Sequence, residues 1–330
     1  MTVQIAEMTG ESPAETMGAH SAPQANTSFT VALCTHNHKE RLLRTLRGLA
    51  QLRRPASRWE LVIVDNASTD GTSELLAAND WRTSDMTVKV VREQKLGLSN
   101  ARNRAIQEAT GEYIVFIDDD ETPDPHWLSA YERAILTERP DAMGGRIEVA
   151  FVDGERPSWL QDELLGFLGK LDHGRIARAI TDPRTPIFGG NFAFRRETFA
   201  RIGLFDAALG RKGVANVGGE DVEMYRRMID MGCNVWWVPD AIIHHRIQAD
   251  KLERRYFLDL HFRQGRTEGL LKRGTASRVP PPYLLPQLWR AIRTALSQRV
   301  KQGSTYSLRR EMNVAYFLGY ILGWALGRRP

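Results

Sequence analysis

Between residues 29 and 117 four short apolar runs alternate with three stretches of helical spacing. The runs 29–34, 61–64, 88–91 and 113–117 are too short for helices of ordinary length and apolar nearly throughout. That is the pattern of strands buried on both faces of a parallel sheet. Between them, residues 41–52 place Leu42, Leu43, Leu46 and Leu49 on one helical face. Residues 72–78 and 98–109 read as two further helices, the second with Gly111 as its stop. Such alternation predicts an α/β chain with a Rossmann-like, doubly wound and mainly parallel sheet. Right-handed crossovers bring the carboxyl ends of successive strands to one edge, and ligands bind along that edge.

Three polar clusters fall at those ends: Thr35-His36-Asn37, Asp65 through Asp70, and Asp118-Asp119-Asp120. Adjacent carboxylates at a buried strand end repel one another and are costly without a cation. Hard oxygen ligands suit Mg²⁺ or Mn²⁺ shared with substrate phosphates. The competing reading is an acidic turn ahead of a helix begun by Pro123-Asp124-Pro125, where the helix dipole favours carboxylates. Asp65 and Asn66 can hydrogen-bond a base or ribose, while Thr69 or Asp70 can cap the following helix.

Beyond residue 140 the pattern is less regular. Residues 143–151 read as a strand, 153–184 as a loop-rich insert with one amphipathic segment, and 188–194 as a strand entered through Gly189-Gly190. Residues 221–231 read as a helix, and 234–238 as a strand capped by Pro239. Trp236 and Trp237 then point to opposite sides of that strand. Two cysteines, Cys34 and Cys233, exclude a disulfide framework, suit a reducing compartment, and sit in apolar contexts as small core residues.

The ordered blocks resemble those of family 2 glycosyltransferases with the GT-A fold. They run from Val31-Ala-Leu-Cys-Thr-His-Asn37 through Val64-Asp-Asn-Ala-Ser-Thr-Asp-Gly-Thr72, Gly97-Leu-Ser-Asn-Ala-Arg-Asn103 and Phe116-Ile-Asp-Asp-Asp120. They continue in Phe188-Gly-Gly-Asn191, Gly219-Glu-Asp-Val-Glu223 and Pro239-Asp-Ala-Ile-Ile-His-His245. The resemblance implies inverting transfer of a sugar from a nucleoside diphosphate sugar, with uridine as the expected base, to an acceptor hydroxyl. The acceptor class is a glycan, a lipid-linked glycan or a small molecule, as in cell-surface polysaccharide or glycolipid synthesis. It assigns the nucleotide-sugar to Thr35, Asn37, Asp65, Asn66, Arg102, Asn103, Asp118 and Asp119. Asp118 and Asp120 become the outer positions of the family's D-x-D signature, with Asp120 the direct Mg²⁺ or Mn²⁺ ligand and His245 completing the shell. Asp221 becomes the base, with Glu220 beside it, though an acidic pair also suits a helix start. Gly189, Gly190, Asn191 and Trp236 are assigned to the acceptor. The alternatives are an inactive nucleotide- or glycan-binding scaffold and a sugar nucleotidyltransferase; His36-Asn-His-Lys39 lacks the glycine- and lysine-rich loop expected of the latter.

Charge divides the chain. Residues 251–330 hold 16 Lys and Arg against 4 Asp and Glu, a net of +12, whereas the first 250 hold 29 against 36, a net of −7. We therefore expect a disordered leader over 1–27, a catalytic domain over 28–250 with nucleotide-binding (28–122) and acceptor-binding (123–250) halves, and a basic helical extension over 251–330. Basic residues beside Tyr256, Phe257, Tyr316, Phe317, Tyr320 and Trp324 fit a helix pair lying on an anionic membrane. They fit equally a helical hairpin packed on the body or across a homodimer. No nucleic-acid module is recognisable. The leader lacks an apolar signal core, and the apolar run 314–327 is shorter than the roughly 20 residues a span needs. The expected location is cytoplasmic, peripheral at the inner face of the cell membrane.

Overall fold

The computed structural model describes residues 27–151, 155–187, 189–210, 219–273, 279–303 and 306–326. The leader expected over 1–27 lies outside them apart from Thr27, as does Phe188. The first half follows the expected alternation: β1 (Ser28–Thr35), α1 (Lys39–Ala50), β2 (Arg58–Asp65), α2 (Thr72–Ala78), β3 (Thr87–Arg92), α3 (Leu98–Glu108) and β4 (Tyr113–Asp118). The four strands lie parallel in the order β3-β2-β1-β4. β1, β4 and residues 61–65 of β2 are almost wholly buried, which is why 29–34, 61–64 and 113–117 are apolar runs. β3 is the edge strand, and its exposed Thr87, Lys89 and Arg92 suit that place.

β4 does not lead into a helix. After a two-residue turn the chain forms β5 (Glu121–Pro123), and α4 (Trp127–Glu138) starts only after His126. A helix dipole therefore does not account for the acidic run. The chain continues through β6 (Ala142–Phe151), a 3-10 turn at Asp162–Leu168, β7 (Arg178–Ala179), β8 (Phe192–Arg195), α5 (Thr198–Ile202), α6 (Glu220–Asp230) and β9 (Val235–Ile247). The sheet extends as β4-β8-β6-β9-β5, with β8 antiparallel to both neighbours, β9 parallel to β6, and β5 and β7 antiparallel to β9. The sheet is thus mixed, with its parallel part in the first half.

Two local expectations change. α3 ends at Ala109 in extended conformation, and Gly111 is not its cap. Gly111 serves close packing, since a Cβ there would lie 2.5 Å from the Thr30 amide nitrogen of β1. Pro239 does not end its strand: β9 runs on to Ile247. Its pairing with β6 jumps from Gly145↔Val238 to Arg146↔Ile242, so Pro239, Asp240 and Ala241 form a bulge. A residue without an N–H is thereby kept out of the ladder.

The extension forms α7 (Arg254–Arg273), α8 (Leu284–Gln302) and α9 (Arg309–Leu326). α7 and α9 run parallel in backbone contact through Gly265 and Gly269 on one helix and Gly319 and Gly323 on the other. A Cβ at Gly265 would lie 2.0 Å from the Tyr316 carbonyl oxygen. Gly265→Ala should therefore destabilise the protein by about 1–3 kcal/mol in urea unfolding. Ordinary helix propensity predicts the opposite sign. Phe257, Leu308 and Met312 share a core with Leu160, Leu164, Leu165 and Leu168 of the insert. Tyr320 and Trp324 pack with Leu284 rather than facing outward as a membrane stripe. Among the described residues no helix is long and apolar enough to cross a membrane.

Cys34 and Cys233 are buried and free, and burial pushes the Cys34 thiol up to about 12. Iodoacetamide at pH 8 should leave both unlabelled in native protein and label both in denaturant, read by mass spectrometry.

Candidate active site

Chain segments remote in sequence meet around a cleft of about 240 Å³ at the carboxyl edge of the sheet. The turn between β4 and β5 contributes Asp118, Asp120 and Glu121; the start of α3 contributes Leu98 and Arg102. Gly189 and Gly190 come from the turn before β8, Gly219, Glu220 and Asp221 from the start of α6, and His245 from β9. Phe167, Leu168 and Gly169 of the insert, with Lys251 and Tyr256 at the start of the extension, close the far side. The sequence pattern pointed to none of these last five, because insert and extension carry no periodicity toward the sheet edge.

Asp120 faces basic groups. Its Oδ2 lies 3.4 Å from His245 Nε2 and 3.8 Å from Lys251 Nζ. Burial alone would raise this carboxyl. The His245 hydrogen bond and the charges of His245, Lys251 and Arg41 outweigh it and hold Asp120 well below the usual carboxylate range. His245 is itself oriented: its Nδ1 lies 2.7 Å from the Leu168 carbonyl oxygen, so Nδ1–H donates there and Nε2 is the nitrogen turned to Asp120. Gly169 permits this approach, since a Cβ there would meet His245 Nδ1 at 2.8 Å and the backbone has φ +90°.

A second cluster is built on Arg102, which is buried and whose guanidinium lies over the rings of Phe192 and Phe205. Its Nη1 donates to Glu220 Oε1 at 3.0 Å and its Nη2 to Asp118 Oδ1 at 3.3 Å. The expected nucleotide contact is thus a buried counter-ion joining two acidic residues from different halves of the sheet. Glu220 Oε2 is buried without a hydrogen-bond partner among the described residues. Asp221 is half-buried; its Oδ2 accepts from the Gly189 amide at 3.3 Å and its Oδ1 from the Val222 amide at 2.8 Å. Those two bonds aim the carboxylate along the cleft wall.

Glu121 was not anticipated, although it directly follows the acidic run. It is buried, and burial, reinforced by the charges of Asp118 and Asp120, pushes its carboxyl well above the usual range. Its Oε2 accepts the Asp118 amide at 2.9 Å, which shapes the acidic turn. Gly190 leaves room for it, because a Cβ there would lie 2.0 Å from Oε1. Asp119 points away from the cleft to Thr35 Oγ1 at 2.6 Å and His38 Nδ1 at 3.1 Å. Burial raises the Asp119 carboxyl, and the hydrogen bond to Asp119 raises His38.

The remaining expected residues hold backbone. Asp65 accepts the Ser68 amide at 3.0 Å and the Ser73 hydroxyl at 2.8 Å. Asn66 donates to the Glu93 and Lys95 carbonyls, each at 3.0 Å, and accepts from Gly97 at 2.8 Å. Asn37 accepts the Thr69 amide at 2.7 Å, knitting the ends of β1 and β2. Asn103 is committed in both directions to the Phe205 backbone, at 2.8 and 2.9 Å. Asn191 is fully buried; it takes Trp127 Nε1 and Tyr131 Oη, each at 2.8 Å, and donates to the Arg146 and Ala241 carbonyls. With its hydrogen-bonding capacity used internally, Asn191 cannot be an acceptor contact. Nor does Trp236 reach the cleft. It pairs with Met143 whereas His245 pairs with Val149, six residues further along β6, or about 20 Å. Its Nε1 donates to Asn234 Oδ1 at 2.8 Å.

No three His, Cys, Asp or Glu side chains among the described residues converge as a ready-made metal cage. Two carboxylates and one oriented imidazole opening on a cleft nevertheless match the donor chemistry of a divalent cation shared with phosphate oxygens. Asp120 Oδ2 and His245 Nε2 lie 3.4 Å apart, a separation that two ligands of one ion can have.

Several known proteins are similar to this chain over most of its length. Glycosyltransferase AglE of Haloferax volcanii is 24% identical over 66% of each chain. The succinoglycan biosynthesis protein ExoM of Rhizobium meliloti is 25% identical over 76% of each. The glucosyl-dolichyl phosphate glucuronosyltransferase of Haloferax volcanii is 27% identical over 72% of this chain and 74% of its own length. Among solved structures, mannosyltransferase PcManGT from Pyrobaculum calidifontis, in complex with GDP-Man and Mn²⁺, superposes with a TM-score of 0.57 at 17% identity, covering 90% of this chain and 88% of that one. The S. aureus TarS fragment 1–349 in complex with UDP-GlcNAc gives 0.50 at 18% identity, covering 67% and 59%. Both likenesses show the shared fold. The profile of glycosyl transferase family 2 matches residues 30–203, more than half of the chain and spanning β1 to α5. The protein is accordingly a glycosyltransferase and a member of family 2.

Proposed function

We propose that the cleft moves a sugar from a nucleoside diphosphate sugar to an acceptor hydroxyl in one in-line displacement that inverts the anomeric centre. The observation that carries this reading is the separation of two acidic groups by role. Asp120 faces His245 and Lys251, Asp118 is tied through Arg102 to Glu220, and Asp221 is held by the Gly189 and Val222 amides.

Asp120, with Asp118 and His245, would hold Mg²⁺ or Mn²⁺ on the diphosphate. When bound, such a cation neutralises the charge developing on the leaving group. Asp221 accepts the acceptor hydroxyl's proton as the new carbon–oxygen bond forms and the bond to the diphosphate oxygen breaks. Glu220 is already neutralised by Arg102, which leaves Asp221 as the base. Lys251 adds positive charge beside the diphosphate position. Uridine remains our expected base. The bound GDP-Man in PcManGT makes guanosine the second donor to try. Relatives named for succinoglycan synthesis and for a dolichyl phosphate glycan support a growing polysaccharide or lipid-linked glycan as acceptor.

The test is nucleoside diphosphate release from a panel of UDP- and GDP-sugars, with and without acceptor. Release should require Mg²⁺ or Mn²⁺, stop on chelation and return on metal addition. Asp120→Ala should lower kcat by about 10²–10³-fold. Release indifferent to chelation and to Asp120→Ala would overturn the metal assignment, and no release from any donor would leave an inactive binding scaffold as the better reading.

A further inference from the structure

α8 has one side packed on α9, with Leu284 and Ala295 buried. Its outward side is not polar. Leu285, Trp289, Leu296 and Val300 are 60% to 86% exposed. They recur at intervals of four, seven and four residues, which is one helical stripe, and Ile292 lies in the same shallow groove. An apolar row of this length on a helix surface marks an interaction site.

Charge identifies the occupant. α8 contains Arg290, Arg293, Arg299 and Lys301 and no acidic residue. Arg293 and Lys301 line the groove itself, and Arg299 on the other border pairs with Glu311 of α9 at 3.1 Å. A second copy docking stripe to stripe would bring two basic borders together, at a cost in like-charge repulsion. An anionic bilayer satisfies both features, taking the apolar stripe at the acyl boundary and the cations among its headgroups.

We propose that α8 seats the protein on an anionic lipid surface, with Trp289, Leu296 and Val300 entering the interface and Arg290, Arg293 and Lys301 meeting lipid phosphates. The inference stands apart from the donor and acceptor assignments, because none of these residues lines the active-site cleft. It also moves the membrane face from α9, whose Tyr320 and Trp324 are packed inside, to the helix between.

The experiment uses full-length protein, co-sedimented with vesicles of phosphatidylcholine alone or mixed with phosphatidylglycerol. Binding to the mixed vesicles that weakens with added salt is expected, with little binding to phosphatidylcholine alone. The double variant Leu296→Glu and Val300→Glu should bind at least about tenfold more weakly, as should Arg290→Glu with Arg293→Glu. Melting temperature and metal-dependent donor turnover should stay unchanged in both, which separates lost docking from lost folding. Vesicle binding indifferent to either variant, equal binding to both lipid mixtures, or no binding would overturn the proposal. So would a solution dimer that Leu296→Glu and Val300→Glu dissociate, which would assign the stripe to a second copy.

Discussion

Asp221→Asn is expected to lower kcat by about 10²–10⁴-fold, the usual contribution of a positioned general base. The amide is nearly isosteric and keeps one oxygen for the Gly189 or Val222 N–H, so the start of α6 should survive. Donor KM should change little, because Asp221 belongs to the acceptor's side of the reaction in this assignment. Initial-rate kinetics with saturating acceptor, beside a thermal melt, would check it. An unchanged kcat would place the base elsewhere. Glu220 would be the next candidate despite its ion pair.

The second large effect is on stability. Arg102→Met should cost about 3–5 kcal/mol, the range for breaking a buried pair by removing one partner. Arg102 and Glu220 are both buried, and Asp118 depends on the same guanidinium. Burial works against the Arg102 charge, but Asp118, Glu220 and Asp221 more than restore it, so this arginine is held firmly protonated. Methionine fills the space between Phe192 and Phe205 but leaves two carboxylates facing each other. Urea unfolding would measure the loss. Adding Glu220→Gln should recover part of it, because the two residues share one interaction and their effects are not additive. Full additivity would show that Arg102 stabilises through packing on the phenylalanines alone.

Much of the first half was legible because β1, β2 and β4 are buried on both faces, and burial writes itself into composition. The acidic run at the end of β4 was legible for a related reason: three carboxylates after Phe116-Ile117 make no sense in a core. The partition of labour within it was not. Asp119 turns to Thr35 and His38 while Asp120 turns to His245. That choice is made by the tight turn into β5, whose pairing with β9 sets Glu121 opposite His245. Local propensity does not encode a partner 124 residues away in the chain. Asn191 and Trp236 illustrate the same limit from the other side. A polar residue after two glycines and an aromatic pair on a strand look like binding residues in one dimension. In three dimensions one is a saturated internal bracket and the other lies at the wrong end of β9.

The alternation of buried runs and amphipathic stretches thus determined the parallel half of the sheet, the edge where its strand ends gather, and the acidic character of that edge. Only the tertiary structure decided which carboxylates face the cleft, that Arg102 is a counter-ion, and that the insert and Lys251 complete the wall. It also decided which helix of the basic extension stays exposed. Burial and periodicity act over a few residues and leave their mark on local sequence. The orientation of a charged side chain depends on counter-charges delivered by distant segments, and those are set only when the whole chain has packed.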